Sequence, residues 1–315
     1  MKILILDPEK KVTHRISKDT SGGYGTGNNF GDTLVPVFLK KTLKKVHDWP
    51  PMFAVYTMSA LIKNGHEVQY QKNLPKDYDQ YNLFIIVSSI VCCETECECI
   101  EKISKLGKKI FVIGPYATNM PEKYIKAGGQ VIMGEPEFFF LKPQDLNSIG
   151  NDKSLIFDHN YNLDDLPYPD WGNLVKDNKT SLLFGTDKSL PILATRGCPY
   201  SCFKYCVYPL QQGRKPRQRD PKLIVDELEH WKNNFNVKMF IFRDPVFSIN
   251  KKHTLEFCNL LINRNLGIKF IIETHLRILD SDLIDILKKA GLKAVKVGVE
   301  SYDDNVRKDS GRFSV

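Results

Sequence analysis

No stretch of the 315-residue chain approaches the roughly 18 consecutive apolar residues that a membrane helix needs. The first apolar run, residues 2–6, is too short for a signal-peptide core and meets Asp7 and Pro8 at once. Internal repeats and low-complexity tracts are also missing, which excludes a repeat array and a compositionally disordered chain. A strong excess of charge of either sign is missing, with 45 Lys and Arg against 37 Asp and Glu. The net charge is +8 and the pI about 8.9, too mild over two domains for a nucleic-acid footprint. Such a balance favours an anionic partner only weakly. These absences lead us to expect a cytoplasmic protein, where eight cysteines do not build a disulfide framework. Metal binding or plain burial is then the expected use of the thiols.

What is present is an ordinary globular composition, 42% hydrophobic and 26% charged, in a chain long enough for about two domains. Short apolar strands alternate with helices from residue 2 to about residue 133. Strands are expected at 2–6, 66–70, 83–88, 109–113 and 130–133. Helices are expected from Pro51 to Asn64, then at 95–106 and 121–127. This alternation argues for a parallel, doubly wound sheet, whose ligands lie beyond the carboxyl ends of the strands. Those ends lead into Asp7, Ser88-Ser89, Gly114-Pro115 and Gly134-Glu135. Residues 142–187 lose the pattern and include a Pro-rich stretch, Leu163 to Trp171, expected to be a linker.

Alternation resumes at Leu190. Asp220-Pro221 is a good helix start, and Ile224, Leu228, Trp231 and Phe235 share one helical face. Further strands are expected at 239–242, 268–272 and 294–299, with helices between them. Four βα-type units in a row suggest a barrel-like α/β domain. Four strands cannot close a barrel and would leave an open edge, so the expectation is a truncated barrel. The anticipated organisation is therefore an N-terminal Rossmann-like domain (1–141), a linker (142–187) and a partial barrel (188–315).

The most informative segment runs from Thr195 through Cys198-Pro199-Tyr200-Ser201-Cys202 to Cys206. Three cysteines within nine residues, in a loop after a strand, can converge on one centre. Three thiolates would leave one iron of a [4Fe–4S] cluster without a protein ligand, open to a small molecule. Structural zinc prefers a second pair of ligands further on, and Cys258 stands alone. Zinc and inert thiols remain the alternatives to iron–sulfur.

Gly197-Cys198-Pro199-Tyr200-Ser201-Cys202 through Cys206-Val207-Tyr208-Pro209 resembles the cluster loop of radical S-adenosylmethionine (SAM) enzymes. The resemblance implies that Cys198, Cys202 and Cys206 hold a [4Fe–4S] cluster whose open iron chelates SAM. One-electron reduction then splits SAM into methionine and a 5′-deoxyadenosyl radical that abstracts a substrate hydrogen. The family spacing is three residues and then two; here Phe203, Lys204 and Tyr205 fill the second gap. Tyr205 still holds the aromatic position before the third cysteine, which in the family packs on the SAM adenine. The resemblance further implies SAM contacts from Arg243 and Asp244 after the second barrel strand, Glu273 at the end of the third, and Glu300 and Ser301 after the fourth. It also implies a small-molecule substrate and a one-electron donor such as flavodoxin or ferredoxin.

Domain order adds a second resemblance, to cobalamin-binding radical SAM proteins. It is carried by Pro50-Pro51, Gly65-His66-Glu67-Val68, Gly114-Pro115-Tyr116-Ala117-Thr118 and Gly134-Glu135-Pro136-Glu137. The class implies cobalamin and methyl transfer to an unactivated carbon: one SAM supplies the radical, a second remethylates the cobalamin. The Asp-x-His-x-x-Gly motif that gives cobalt an axial imidazole elsewhere is absent, so neither His14 nor His66 is named as a ligand. A cobalamin-independent radical SAM rearrangement, cyclisation or oxidation is the alternative, and an inactive cofactor-binding fragment the second. Cys92, Cys93, Cys97 and Cys99 fall on two helical faces and are expected to be structural. The basic run Arg214, Lys215, Arg217, Arg219 and Lys222 is expected to be a solvated face. Ser21 to Gly27 lacks the Lys-Ser/Thr ending of a phosphate-binding loop.

Overall fold

The computed structural model describes residues 1–9, 16–18, 24–27, 49–150, 154–156, 160–174, 188–200, 206, 208–299, 301–309 and 311. The chain divides into two compact units. The first comprises Met1–Tyr161 and Asp165–Lys176, the second Asn162–Asp164 and Asp177–Val315.

In the first unit, β1 (Lys2–Leu6), β4 (Glu67–Gln71), β5 (Leu83–Val87), β6 (Lys109–Ile113), β7 (Gln130–Met133) and β8 (Ser154–Ile156) form one sheet. A short antiparallel pair, β2 (Ile16–Lys18) and β3 (Tyr24–Gly27), stands apart from it. The sheet order is β4-β1-β5-β6-β7-β8, and every pairing is parallel. Strands such as LFIIV at β5 are apolar throughout because both faces of the sheet are covered. The period of two then sorts them. Ile3, Ile5, Ile85, Phe111 and Ile113 pack with Phe53, Met58 and Leu61 of the helix Met52–Lys63. Leu4, Leu6, Phe84, Ile86 and Val112 pack on the other face with Ile100 and Ile103 of the helix Cys93–Ser104. The order in which strands are added reverses between β1 and β5, β4 lying on one side of β1 and β5 to β8 on the other, the place where doubly wound folds open a crevice.

The expected linker is largely part of this unit. Ser154–Ile156 extends the sheet beside β7, and Trp171 is buried edge-on against Trp49 at 5.9 Å. A three-residue strand has no measurable period, and a single Trp in a polar stretch carries none either.

The second unit has a parallel sheet of order β14-β13-β12-β9, from β9 (Lys188–Ile192), β12 (Val237–Phe242), β13 (Lys269–Glu273) and β14 (Leu292–Lys296). Each strand is added beside its predecessor, as in a barrel. Between β9 and β12 lies the antiparallel pair β10 (Thr195–Arg196) and β11 (Arg217–Gln218). The crossover helices have firm ends. Asp220, Asn250 and Asp280 cap the starts of Pro221–Phe235, Lys251–Arg264 and Ser281–Ala290. Asn236, Asn265 and Gly291 close them in the left-handed conformation. Phe242, Phe247, Phe257 and Phe270 form the aromatic centre of the packing.

Candidate functional site

The carboxyl end of β9 leads straight into the cysteine segment. Residues 189–198 are all buried, Cys198 included, and Cys206 is half-buried. Gly197 has φ +84, and a Cβ there would lie 2.3 Å from the Lys215 carbonyl oxygen, so only glycine fits. Its amide donates to Gln212 Oε1 at 3.2 Å, and the Cys198 amide donates to the Gly213 carbonyl at 3.1 Å. Cys202, Tyr205 and Glu300 lie outside the described residues.

The neighbouring strand ends carry charge. Arg243 after β12 pairs with Glu273 at the end of β13, and Lys296 at the end of β14 lies 3.7 Å from the same carboxylate. Behind them the Ser248 and Thr274 hydroxyls share a hydrogen bond of 2.6 Å, both buried. His275 packs at 5.1 Å from the Tyr200 ring, joining β13 to the cysteine segment. Ser301 caps the turn before the helix Asp304–Asp309: its hydroxyl accepts from the Asp303 amide and its carbonyl from buried Arg307.

Asp244 differs from its neighbours. It is fully buried and turns back toward β9, where its Oδ1 accepts the amides of Ala194 and Thr195. Burial pushes its carboxyl up to about 7, against the lowering effect of the nearby Thr195 side chain and of the hydrogen bonds from the Thr195 and Ala194 amides. The negative charge of Glu273 adds to the rise.

The basic run does not form one solvated face. Arg214, Lys215 and Lys222 are exposed, but Arg219 is buried. It pairs with Glu227 at 2.6 Å, and Trp231 Nε1 donates to the other Glu227 oxygen at 3.3 Å. A carboxylate sitting among Ile224, Leu228 and Trp231 on an apolar helical face was the available signal of a buried partner. No sequence pattern pointed to His275, Gln212 or Arg307.

At the strand ends of the first unit, hydroxyls tie the loops together. Ser88 Oγ accepts the Ala117 amide at 3.0 Å, and Thr118 Oγ1 accepts the Gly134 amide at 3.1 Å. Asp7 accepts from the Tyr70 hydroxyl at 2.5 Å. A Cβ at Gly114 would meet Phe53 and Ser88 at 2.8 Å. Buried Glu96 accepts the Ser89 amide and hydroxyl (3.0 and 2.8 Å) and the Tyr124 hydroxyl (2.6 Å). His66 stands at the opposite, amino-terminal edge, beside the Met1 amino group. Cys93 and Cys99 belong to the core, with Cys97 packed against it. Burial pushes the Cys97 thiol up to about 12, helped by Cys93, and the Cys258 thiol, wholly buried, to about 12 as well.

Residues 192–314 match the Radical SAM superfamily, a span that opens at the end of β9 and contains all three loop cysteines. The match lies within the second unit. The fold of the whole chain is similar to that of a solved structure. A radical SAM methyltransferase, TsrM of Kitasatospora setae, matches with a TM-score of 0.67 over 100% of this chain and 63% of that one, at 15% identity. Among curated proteins, the bacteriochlorophyllide d C-8(2)-methyltransferase of Chlorobaculum tepidum is 28% identical over 71% of this chain and 51% of its own length. The anaerobic magnesium-protoporphyrin IX monomethyl ester cyclase of Rubrivivax gelatinosus is 36% identical over 42% of this chain and 24% of its own. The chain thus spans less than two thirds of each of these relatives. Among the described residues, no helix is long and apolar enough to cross a membrane.

Proposed function

We propose that the chain carries the cofactor-binding units of a cobalamin-dependent radical SAM C-methyltransferase. The observation that carries this is the extent of the likeness. Similarity to the bacteriochlorophyllide methyltransferase covers 71% of the chain, more than the radical SAM domain alone can supply, whereas similarity to the cyclase covers 42%.

The donor set suits the cluster. Three thiols with no acid or imidazole among them favour iron–sulfur, and Gly197 lets the backbone turn tightly enough to deliver Cys198. Cys198, Cys202 and Cys206 would hold it. Arg243, Glu273 and Lys296 set both signs of charge along adjacent strand ends, the pattern that a zwitterionic amino acid such as the methionine part of SAM needs. Tyr205, Glu300 and Ser301 are proposed to line the rest of the SAM site. In the first unit, the loops after β1, β5, β6 and β7, tied together through Ser88 and Thr118, would hold cobalamin, and His66 lies at the opposite, amino-terminal ends of the strands. When bound, the cluster supplies the electron that splits SAM, and cobalamin supplies the methyl group. The chain's own part is to orient SAM and to keep water from the buried 189–198 segment. A flavodoxin- or ferredoxin-type donor and a reducing cytoplasm fit this chemistry.

A second reading, ring closure or oxidation without cobalamin, is favoured by the 36% identity to the cyclase. Anaerobic reconstitution with iron, sulfide and hydroxocobalamin, followed by product analysis, separates the two. Retained corrinoid with both 5′-deoxyadenosine and S-adenosylhomocysteine supports methyl transfer. Formation of 5′-deoxyadenosine alone, with no corrinoid retained, moves the assignment to the second reading. Absence of any cluster rejects both.

A further inference from the structure

We infer that Asp244 is a positioning residue that fixes the turn delivering Cys198, and not a group that touches SAM. The inference rests on the radical SAM reading above. Where β9 ends, the chain leaves the sheet, and its amides lose the ladder that would satisfy them. The segment is nevertheless buried, so each polar group needs a partner from elsewhere.

Those partners are supplied almost one by one. A single oxygen, Asp244 Oδ1, accepts both the Ala194 amide, at 2.9 Å, and the Thr195 amide. The Arg243 amide donates to the Ile192 carbonyl at 2.9 Å, which sets the end of β12 in register with the end of β9. From the other side, Arg219 donates its amide to the Ala194 carbonyl at 2.9 Å and its Nη1 to the Leu193 carbonyl at 3.0 Å. Glu227 holds that guanidinium, and His253 Nε2 hydrogen-bonds to the Arg219 carbonyl at 2.6 Å. Gly197 and Cys198 are then gripped by Gln212 and Gly213. Thr195 lies three residues before Cys198, so any slack at the Asp244 clamp passes directly to the ligand.

The same burial argues against contact with SAM. Arg243 and Glu273 remain partly open at the strand ends, whereas Asp244 has no exposed surface at all. Its Oδ1 is taken up by the two backbone amides, and its Oδ2 is buried away from the surface with no hydrogen-bond partner among the described residues.

Asp244→Ala and Asp244→Asn, compared with wild type, test this directly. Asparagine keeps an oxygen at Oδ1 to accept the Ala194 and Thr195 amides, and it removes the charge. In the cluster-free chain, hydrogen exchange at the Ala194 and Thr195 amides should rise about 10- to 100-fold in Asp244→Ala and stay within about two-fold of wild type in Asp244→Asn. After reconstitution, iron and sulfide content should fall to about half or less in the alanine variant. In the asparagine variant it should be retained, with KM for SAM unchanged. An asparagine variant that keeps its cluster but raises KM for SAM about ten-fold would overturn the inference in favour of direct contact. Unaltered exchange and iron content in the alanine variant would overturn it as well. Should Asp244→Ala not fold, the asparagine result alone decides between the two roles. A wild-type chain without a cluster defeats the underlying reading, and the exchange measurement still reports on the clamp.

Discussion

Cysteine is used in two opposite ways in this chain. Cys93, Cys97 and Cys99 sit on a helix whose face packs into a hydrophobic core, and burial drives the Cys97 thiol up to about 12. Such a thiol stays protonated at neutral pH and behaves as a small hydrophobe. Cys198 leaves a strand end through a glycine turn whose backbone is held by side chains from several elements, and Cys206 is half open. The difference lies in what surrounds the thiols: a helix disperses its side chains around an axis, while a clamped loop can gather them.

The largest way to break the comparison is to remove the loop thiols. Cys198/Cys202/Cys206→Ala should abolish the cluster and lower SAM cleavage by at least ~10³-fold, read by iron analysis, electron paramagnetic resonance and 5′-deoxyadenosine formation. Retention of about four irons per chain by this variant would move the cluster to other ligands. Gly197→Ala comes next. The added methyl must displace the Lys215 carbonyl and adopt a positive φ, so a loss of about 2 kcal/mol or more is expected in denaturant unfolding, together with reduced iron content.

A third prediction concerns pH. The Asp244 carboxyl is raised to about 7 in the folded chain, above its unfolded value. A raised carboxyl binds its proton more tightly when folded, so its stabilising contribution is full at low pH and is lost as pH rises through about 7. Asp244→Asn carries no such dependence. Its stability relative to wild type should therefore improve by up to about 1.4 kcal/mol per pH unit between about pH 4 and 7, measured by urea unfolding of the cluster-free chain. A flat difference across that range would mean that the carboxyl titrates normally.

The smallest effect is expected at the helix. Cys97→Ala should change stability by about 1 kcal/mol or less and leave iron content at the wild-type level. Loss of iron in that variant would erase the contrast between the two groups of thiols.

Much of the fold was legible because burial on both faces of a parallel sheet writes itself as short apolar runs. The runs at β1, β5, β6 and β7 are apolar almost end to end, and Gly65 and Gly291 mark helix ends where the chain turns left-handed. The strand Ser154–Ile156 and the buried Trp171 were not legible, because a contact between distant segments leaves no local period. The same holds for the site. Three cysteines in nine residues announce themselves, but the hydrogen bonds that orient the first of them come from residues 212, 213, 219 and 244.

By itself, then, the sequence determined the α/β class, the division into a doubly wound unit and a strand-after-strand sheet, and the three thiols that suit an iron–sulfur cluster. Periodicity and residue type are local properties, and they survive in a one-dimensional string. Only the tertiary structure decided that Asp244 faces inward, that Arg219 is a buried ion pair in an otherwise exposed basic run, and that Arg243 and Glu273 neutralise one another. Burial and pairing depend on which strand ends lie side by side, and that is settled by packing, not by neighbourhood along the chain.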